Sequence, residues 1–427
     1  MKIKLFILFL FLATILLNAQ NKIDSTHYIS KNYIEKHLPE CLKNATNSDL
    51  NTLFQNDKLY VLLQKNCNNS SSSFAPSTFY IFDSLGQLKS SNIILNEAYT
   101  TKDFCIRNGK FLFCGYKYER GEIMGFVAEL TYDFKVVNIK LYPEMGFWKV
   151  LSKDSSIYLT GELYNKVVIK GQKIKLHEFK IDGHKINNDV VLIKMSSEFK
   201  IQNFGHYAIE GNLQDGESLI VNNNGFIAFS FNTVILRGSD HHDGNLFLID
   251  NNFKLLWHKQ YTDQYLGHCH VTPFSLNDKN EVSSFAKSYF FLESKNEALL
   301  PKYDSLFEKS DLISNGTGEK EQDQIMFIGI IKYNENGEEI TKSRFRFDET
   351  LLNPERESYL FFQKKEGTGY LRLVEDNKKE VIFKYDIFTS EGKIITQNII
   401  PKKLPPLFCF PQLYGRPVEN KILILTK

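Results

Sequence analysis

From residue 51 onward the chain repeats one arrangement of apolar and polar positions. A short run with alternating apolar side chains is followed by a turn rich in Asp, Asn, Gly or Ser, and then by a second such run. Residues 79–95 read FYIFDSLGQLKSSNIIL, and the same shape returns at 126–142, 190–207, 246–261, 328–347 and 381–400. Another apolar run precedes each of these, at 59–63, 111–116, 157–163, 226–231, 282–289 and 370–374. Tight turns such as Asn108-Gly109 and Asn224-Gly225 introduce several of those runs, with a further run ahead of the turn. The pattern predicts four strands per unit and six complete units, with the opening two strands of another at 407–413 and 421–426.

Four-stranded antiparallel units in series predict an all-β chain, a β-propeller. Seven blades are expected, with six as the alternative count. In a seven-bladed ring the last blade would take strands from residues 20–50, with 27–30 as the candidate, which would remove an exposed edge. Residues 31–44 read instead as a short helix interrupted by Pro39. The domain plan is thus a leader at 1–19, an amino-terminal segment at 20–50 and the propeller at 51–427.

Within unit three, Asp154-Ser155-Ser156-Ile157-Tyr158-Leu159-Thr160-Gly161 precedes an apolar run at 167–174 and then Asp189-Val190-Val191-Leu192-Ile193-Lys194-Met195. This resembles the secreted bacterial β-propeller repeats whose consensus runs Gly-Asn-x-Tyr-x-Thr-Gly and then Asp-x-Phe-x-x-Lys-Leu-Asp. Residues 250–257 resemble the same repeats and quinoprotein-type blades more loosely. The likeness spans 146–261 and implies architecture; such families share no single activity.

At the amino terminus, Lys2 and Lys4 precede an apolar run at 5–17 that ends in Asn18-Ala19-Gln20, the layout of a secretory signal peptide cleaved after Ala19. The run is shorter than the roughly 20 residues of a membrane-spanning helix. The expectation is an exported chain, secreted, periplasmic or on the outer surface, without a transmembrane segment and monomeric. Export permits disulfides, but none of Cys41, Cys67, Cys105, Cys114, Cys269 and Cys409 forms a C-x-x-C pair. A hairpin at Asn108-Gly109 would set Cys105 opposite Leu112 and leave Cys114 on a diagonal at about 7 Å, which favours buried free thiols. A bridge between Cys41 and Cys67 is the remaining candidate.

Charge and motifs exclude more than they suggest. With 52 Lys+Arg against 50 Asp+Glu, the chain has no basic footprint for nucleic acid. It carries no Gly-x-Ser-x-Gly elbow, His-Glu-x-x-His, P-loop or dinucleotide fingerprint. Because strands in a blade alternate direction, the first-to-second and third-to-fourth turns share one end of the sheets, and these are short. The long connections, 67–77, 165–188 and 291–324, share the other end, where binding usually resides on a rigid scaffold. A short amphipathic helix is expected at 303–310, inside the longest of them.

Two histidine groups belong to that end: Gly238-Ser239-Asp240-His241-His242-Asp243-Gly244 and His268-Cys269-His270. His241, Asp243, His268 and His270 are the catalytic candidates, and His241, His242, His268 and His270 the metal candidates, since imidazole with carboxylate suits zinc. Residues 240–250 loosely resemble a calcium loop but lack its alternating oxygen ligands. Trp148 and Trp257 are expected to pack between strands. The leading functional expectation is a binding scaffold for a protein or glycan that needs no cofactor, and the alternative is a propeller hydrolase or lyase using the histidine groups.

Overall fold

The computed structural model describes residues 26–29, 50–55, 58–63, 77–83, 88–95, 98–119, 121–164, 167–181, 184–186, 189–209, 212–234, 242–261, 268–291, 324–347, 359–364, 367–375, 381–388, 394–404, 409–410 and 422–426. Every element among them is a β-strand. The leader, the helices expected at 31–44 and 303–310, and the Cys41–Cys67 pair lie outside the described residues.

Strand β1 (Thr26–Ile29) opens the chain. The first sheet follows with β2 (Leu50–Gln55), β3 (Lys58–Leu63), β4 (Thr78–Asp83) and β5 (Leu88–Ile93). The second holds β6 (Tyr99–Arg107), β7 (Lys110–Glu119), β8 (Glu122–Leu130) and β9 (Val136–Pro143). The third consists of β10 (Met145–Lys153), β11 (Ser156–Leu163), β16 (Asp189–Met195) and β17 (Ile201–Ala208). Between β11 and β16 the chain makes two small hairpins, β12 (Val168–Ile169) with β13 (Gln172–Lys173) and β14 (Phe179–Ile181) with β15 (His184–Ile186).

The fourth sheet, β18 (Asn212–Val221), β19 (Ile227–Val234), β20 (His242–Ile249) and β21 (Leu255–Tyr261), joins the fifth through one parallel pair, His242 opposite His268. The fifth comprises β22 (His268–Leu276), β23 (Val282–Phe291), β24 (Gln324–Tyr333) and β25 (Glu339–Phe347). The sixth is β26 (Tyr359–Lys364), β27 (Gly367–Glu375), β28 (Val381–Phe388) and β29 (Ile394–Leu404). Last, β30 (Cys409–Phe410) pairs antiparallel with β31 (Ile422–Thr426), which pairs in parallel with β1, so residues 26–29 and 422–426 share a sheet.

The six units of the sequence pattern are these six sheets, each laid down in chain order. First strands of successive sheets lie side by side: β2 near β6, β6 near β10, β10 near β18, and β18 near β22. Several of these strands bulge, β6 between Thr101 and Asp103, β10 between Phe147 and Lys149, and β22 between Pro273 and Ser275. A bulge sharpens the local bend, and beside the bulge of β6 the Asp103 Oδ2 accepts from Val150 N–H on β10 of the next sheet at 2.9 Å.

Apolar faces of adjacent sheets make the core. Tyr60, Phe79, Phe104, Phe111, Phe113 and Phe126 pack between the first two sheets, largely edge to face, as ring quadrupoles favour. Trp148, Tyr158, Phe229, Phe231 and Phe247 pack between the third and fourth. Trp148 and Trp257 are both buried. Cys105 stands opposite Leu112 across a two-residue turn whose Asn108 and Gly109 take φ of 47° and 71°, and both Cys105 and Cys114 are buried free thiols.

One turn recurs at the short-connection end, and its first residue is Thr131, Ser196, Asn222, Asp250, Asn277 or Asn334. That residue's N–H donates to the carbonyl four positions on, and its own carbonyl accepts from the residue three positions on. Its side-chain oxygen accepts from the N–H four positions on in all six turns. The fourth turn residue lies at positive φ: Phe134 (61°), Phe199 (59°), Gly225 (80°), Phe253 (69°), Asn280 (59°) and Gly337 (78°). Asn and Gly are ordinary there, whereas a Phe costs about 1–2 kcal/mol. Phe199 and Phe253 offset it by burying their rings between sheets.

Candidate functional site

Of the histidine group at 238–244, His241 lies outside the described residues and His242 opens β20. The strand brings Asp243 under its neighbours, where the carboxylate, 3% exposed, accepts from Gln260 Nε2 at 2.9 Å. The Asp243 carbonyl accepts from Asn245 Nδ2 at 3.2 Å, and Asn245 Nδ2 also reaches Thr233 Oγ1 at 3.1 Å. His258 Nε2 donates to Asn245 Oδ1 at 2.9 Å while its ring stacks on Phe247, centroids 4.3 Å apart. Burial holds the His258 pKa below the ordinary histidine value. On β22, His270 Nδ1 accepts from Asn232 Nδ2 at 2.8 Å, and His268 stands opposite His242 through the parallel pair.

The backbone therefore brings the two histidine-bearing strands together, while the described side chains of Asp243 and His270 take different partners. Of the calcium-like stretch at 240–250, Asp240 lies outside the described residues. Residues 242–249 are one extended strand, which at about 3.3 Å per residue puts Asp243 and Asp250 roughly 20 Å apart. Asp250 is committed to its turn, accepting from Asn252 and Lys254 N–H at 2.9 and 2.8 Å.

A second constellation lies at the same end of the third sheet. Within the 164–188 excursion, residues 167–177 fold against the body of the chain. Val167, Ile169 and Ile174 are buried in the core between the second and third sheets, with Leu176 packed beside them. Lys170 Nζ donates to the Gln202 carbonyl on β17 at 2.9 Å. The path carries His177 over the start of β16, where Asp189 is fully buried. His177 donates from its backbone N–H to Asp189 Oδ1 at 3.1 Å and from Nδ1 to Oδ2 at 3.0 Å. From β17, two positions before the partner of Asp189 in the ladder, His206 Nδ1 donates to the same Oδ2 at 2.8 Å.

Burial by itself would raise the Asp189 pKa. The hydrogen bonds from His206 and His177 outweigh it and hold the carboxyl below the ordinary aspartate value. His177 is half exposed and His206 less so, so the group has one open side. Its ligand atoms lie within 4.8 Å of one another, and it is the group among the described residues whose spacing suits a metal ion.

His177 and His206 escaped sequence reasoning because they stand alone, 29 positions apart, one in a loop and one in a strand. Asp189 was visible as the first residue of the repeat motif, with no sign that its carboxylate would be covered.

No protein-family model and no characterised protein sequence matches the chain. Its structural neighbours are propeller-like folds. A member of the DUF4221 family from Bacteroides vulgatus is 12% identical, with 76% of this chain and 87% of that one covered and a TM-score of 0.36. A GH43_1 enzyme from Xanthomonas citri is 11% identical over 57% and 82%, TM-score 0.36. A mutant of Synechocystis apocarotenoid oxygenase is 11% identical over 83% and 72%, TM-score 0.41. These neighbours include enzymes, and no family match supports the particular repeat family that residues 146–261 resemble.

Proposed function

We propose that the chain is an exported β-propeller, of seven blades if the β1–β31–β30 sheet is counted, that binds a protein or glycan partner through its long-connection end. The observation that carries this reading is the contrast between the two ends. Six turns at one end share a single hydrogen-bonded design, while the other end carries an individual, packed excursion at 164–188. A surface folded once, on a scaffold built by repetition, is where specific recognition is expected to reside.

The test uses the full chain immobilised against a glycan array and a cell-envelope fraction. Replacing 167–187 by a two-residue turn should abolish capture of whatever ligand the parent chain takes. Lys254→Ala and Lys279→Ala, both at the short-turn end, should leave capture intact. Loss with the short-turn changes alone would place recognition at the wrong end and end the proposal.

A further inference from the structure

Asp189 sets an electrostatic problem. Its carboxylate is fully buried, and its partners among the described residues are two imidazoles and one backbone N–H, with no lysine or arginine among them. A buried carboxylate without a permanent counter-charge is costly, because removing it from water is repaid only by a close cation. Both Nδ1 atoms nevertheless crowd the carboxylate: His206 Nδ1 meets Oδ2 at 2.8 Å, and His177 Nδ1 lies 3.0 Å from Oδ2 and 3.1 Å from Oδ1.

We propose that His177, Asp189 and His206 bind a divalent transition-metal ion of the zinc type, and that the ion fastens the 164–188 excursion to β16 and β17. Two imidazole nitrogens and a carboxylate oxygen are a borderline donor set that selects such ions over calcium or magnesium. In a tetrahedral site with bonds of about 2.0–2.1 Å, ligand atoms sit about 3.3 Å apart. To accept the ion, the two Nδ1 to Oδ2 separations open by a few tenths of an ångström, and the two imidazole nitrogens, within 4.8 Å of each other, draw together around it.

On binding, each Nδ1–H···Oδ2 hydrogen bond is replaced by a metal–nitrogen bond. The imidazole proton shifts to Nε2, which solvent can serve on the open side of His177. Asp189 Oδ1 keeps the His177 backbone N–H, a second interaction that fixes the ligand's orientation. Water completes the coordination on the open side. His177 comes from the excursion and the other two ligands from strands, so occupancy ties a connection to the sheet. The proposal does not depend on any partner, so failure of partner capture leaves it standing and its own failure leaves the scaffold reading standing.

The test is titration of the metal-stripped full chain with zinc chloride, followed by calorimetry, and with cobalt(II), followed by visible absorption. The expected result is one ion per chain, cobalt bands of a four- or five-coordinate nitrogen–oxygen site, and slower proteolysis within 164–188 when metal is present. His177→Gln and His206→Gln should each weaken binding by about 100-fold while circular dichroism stays unchanged. These two are used in place of Asp189→Asn, which disturbs a buried position. Failure of the parent chain to bind either ion overturns the proposal. So does binding that survives both substitutions, or that is lost on His270→Gln instead.

Discussion

The two ends of the third sheet show how differently one protein can stabilise its connections. At the β16–β17 end, Ser196 starts a five-residue turn closed by local hydrogen bonds, and the same turn appears at five other places among the described residues. At the β11–β16 end, the connection makes two small hairpins, buries Val167, Ile169 and Ile174, and gathers His177, Asp189 and His206 from three separate segments. Local turns can be copied because they need only a small polar residue and a tolerant fourth position. The other end depends on partners far apart in sequence, so its design occurs once among the described residues.

The sharpest way to break that comparison is at Phe199, where the copied turn also serves the core. Phe199→Ala should cost about 3–5 kcal/mol by chemical denaturation, because a fully buried ring is removed. Phe199→Gly should be milder than the alanine variant by about 1 kcal/mol, the reverse of the usual order, because glycine relieves the 59° φ. Equal losses would show that the positive φ carries no strain and that the phenylalanine turns are no costlier than the glycine ones.

Next come the side chains that close the turns. Ser196→Ala removes one acceptor at an exposed turn and should cost about 1 kcal/mol. Asn222→Ala should cost about 2–3 kcal/mol, since Asn222 Nδ2 also donates to the Asn277 carbonyl and to Asn280 Oδ1, both at 2.8 Å, and joins the fourth sheet to the fifth. If the two variants lose the same stability, the cross-sheet bonds contribute nothing and the turns act singly.

A smaller effect is expected where one sheet reaches to the turn of the next. Tyr142 O–H donates to the Phe199 carbonyl at 2.6 Å, and Tyr207 O–H donates to the Phe253 carbonyl at 3.0 Å. Burial raises both phenol pKa values, so both stay protonated donors throughout the stable range. Tyr207→Phe should cost about 1 kcal/mol, measured as a shift in denaturation midpoint with unchanged slope.

The sequence revealed the repeated half of this molecule far better than the single-use half. Alternation and turn residues placed the strands of six sheets, and the Asn108-Gly109 turn set Cys105 opposite Leu112, because those features depend on near neighbours. The cluster at His177, Asp189 and His206 was invisible because its members are joined by the path of an excursion that the alternation does not describe. The histidine group at 241–243 was conspicuous for the opposite reason, since adjacency along the chain catches the eye. In the structure Asp243 turns into a hydrogen-bonded network with Gln260, Asn245 and Thr233. Adjacency in sequence tells little about adjacency of side chains in a strand, where neighbours point to opposite faces.

The smallest effect concerns pH and the long-connection side of the fourth sheet. His258 is held neutral by burial, stacked on Phe247 and donating from Nε2 to Asn245 Oδ1. Its folded pKa lies below the unfolded value of about 6.5, so the unfolded chain takes up the proton first as pH falls. The penalty is therefore absent above pH 6.5 and grows as pH drops from there towards the lowered folded value. His258→Gln keeps an amide donor for Asn245 and removes the titration. With 10 histidines in the chain, the useful quantity is the difference between parent and variant. Denaturation at a series of pH values should show the parent losing more stability than the variant between pH 6.5 and 5, with the two curves parallel at pH 7 to 8. Curves parallel throughout would mean that His258 accepts its proton without leaving the network. That end of the sheet would then be no more sensitive to acid than the turns opposite.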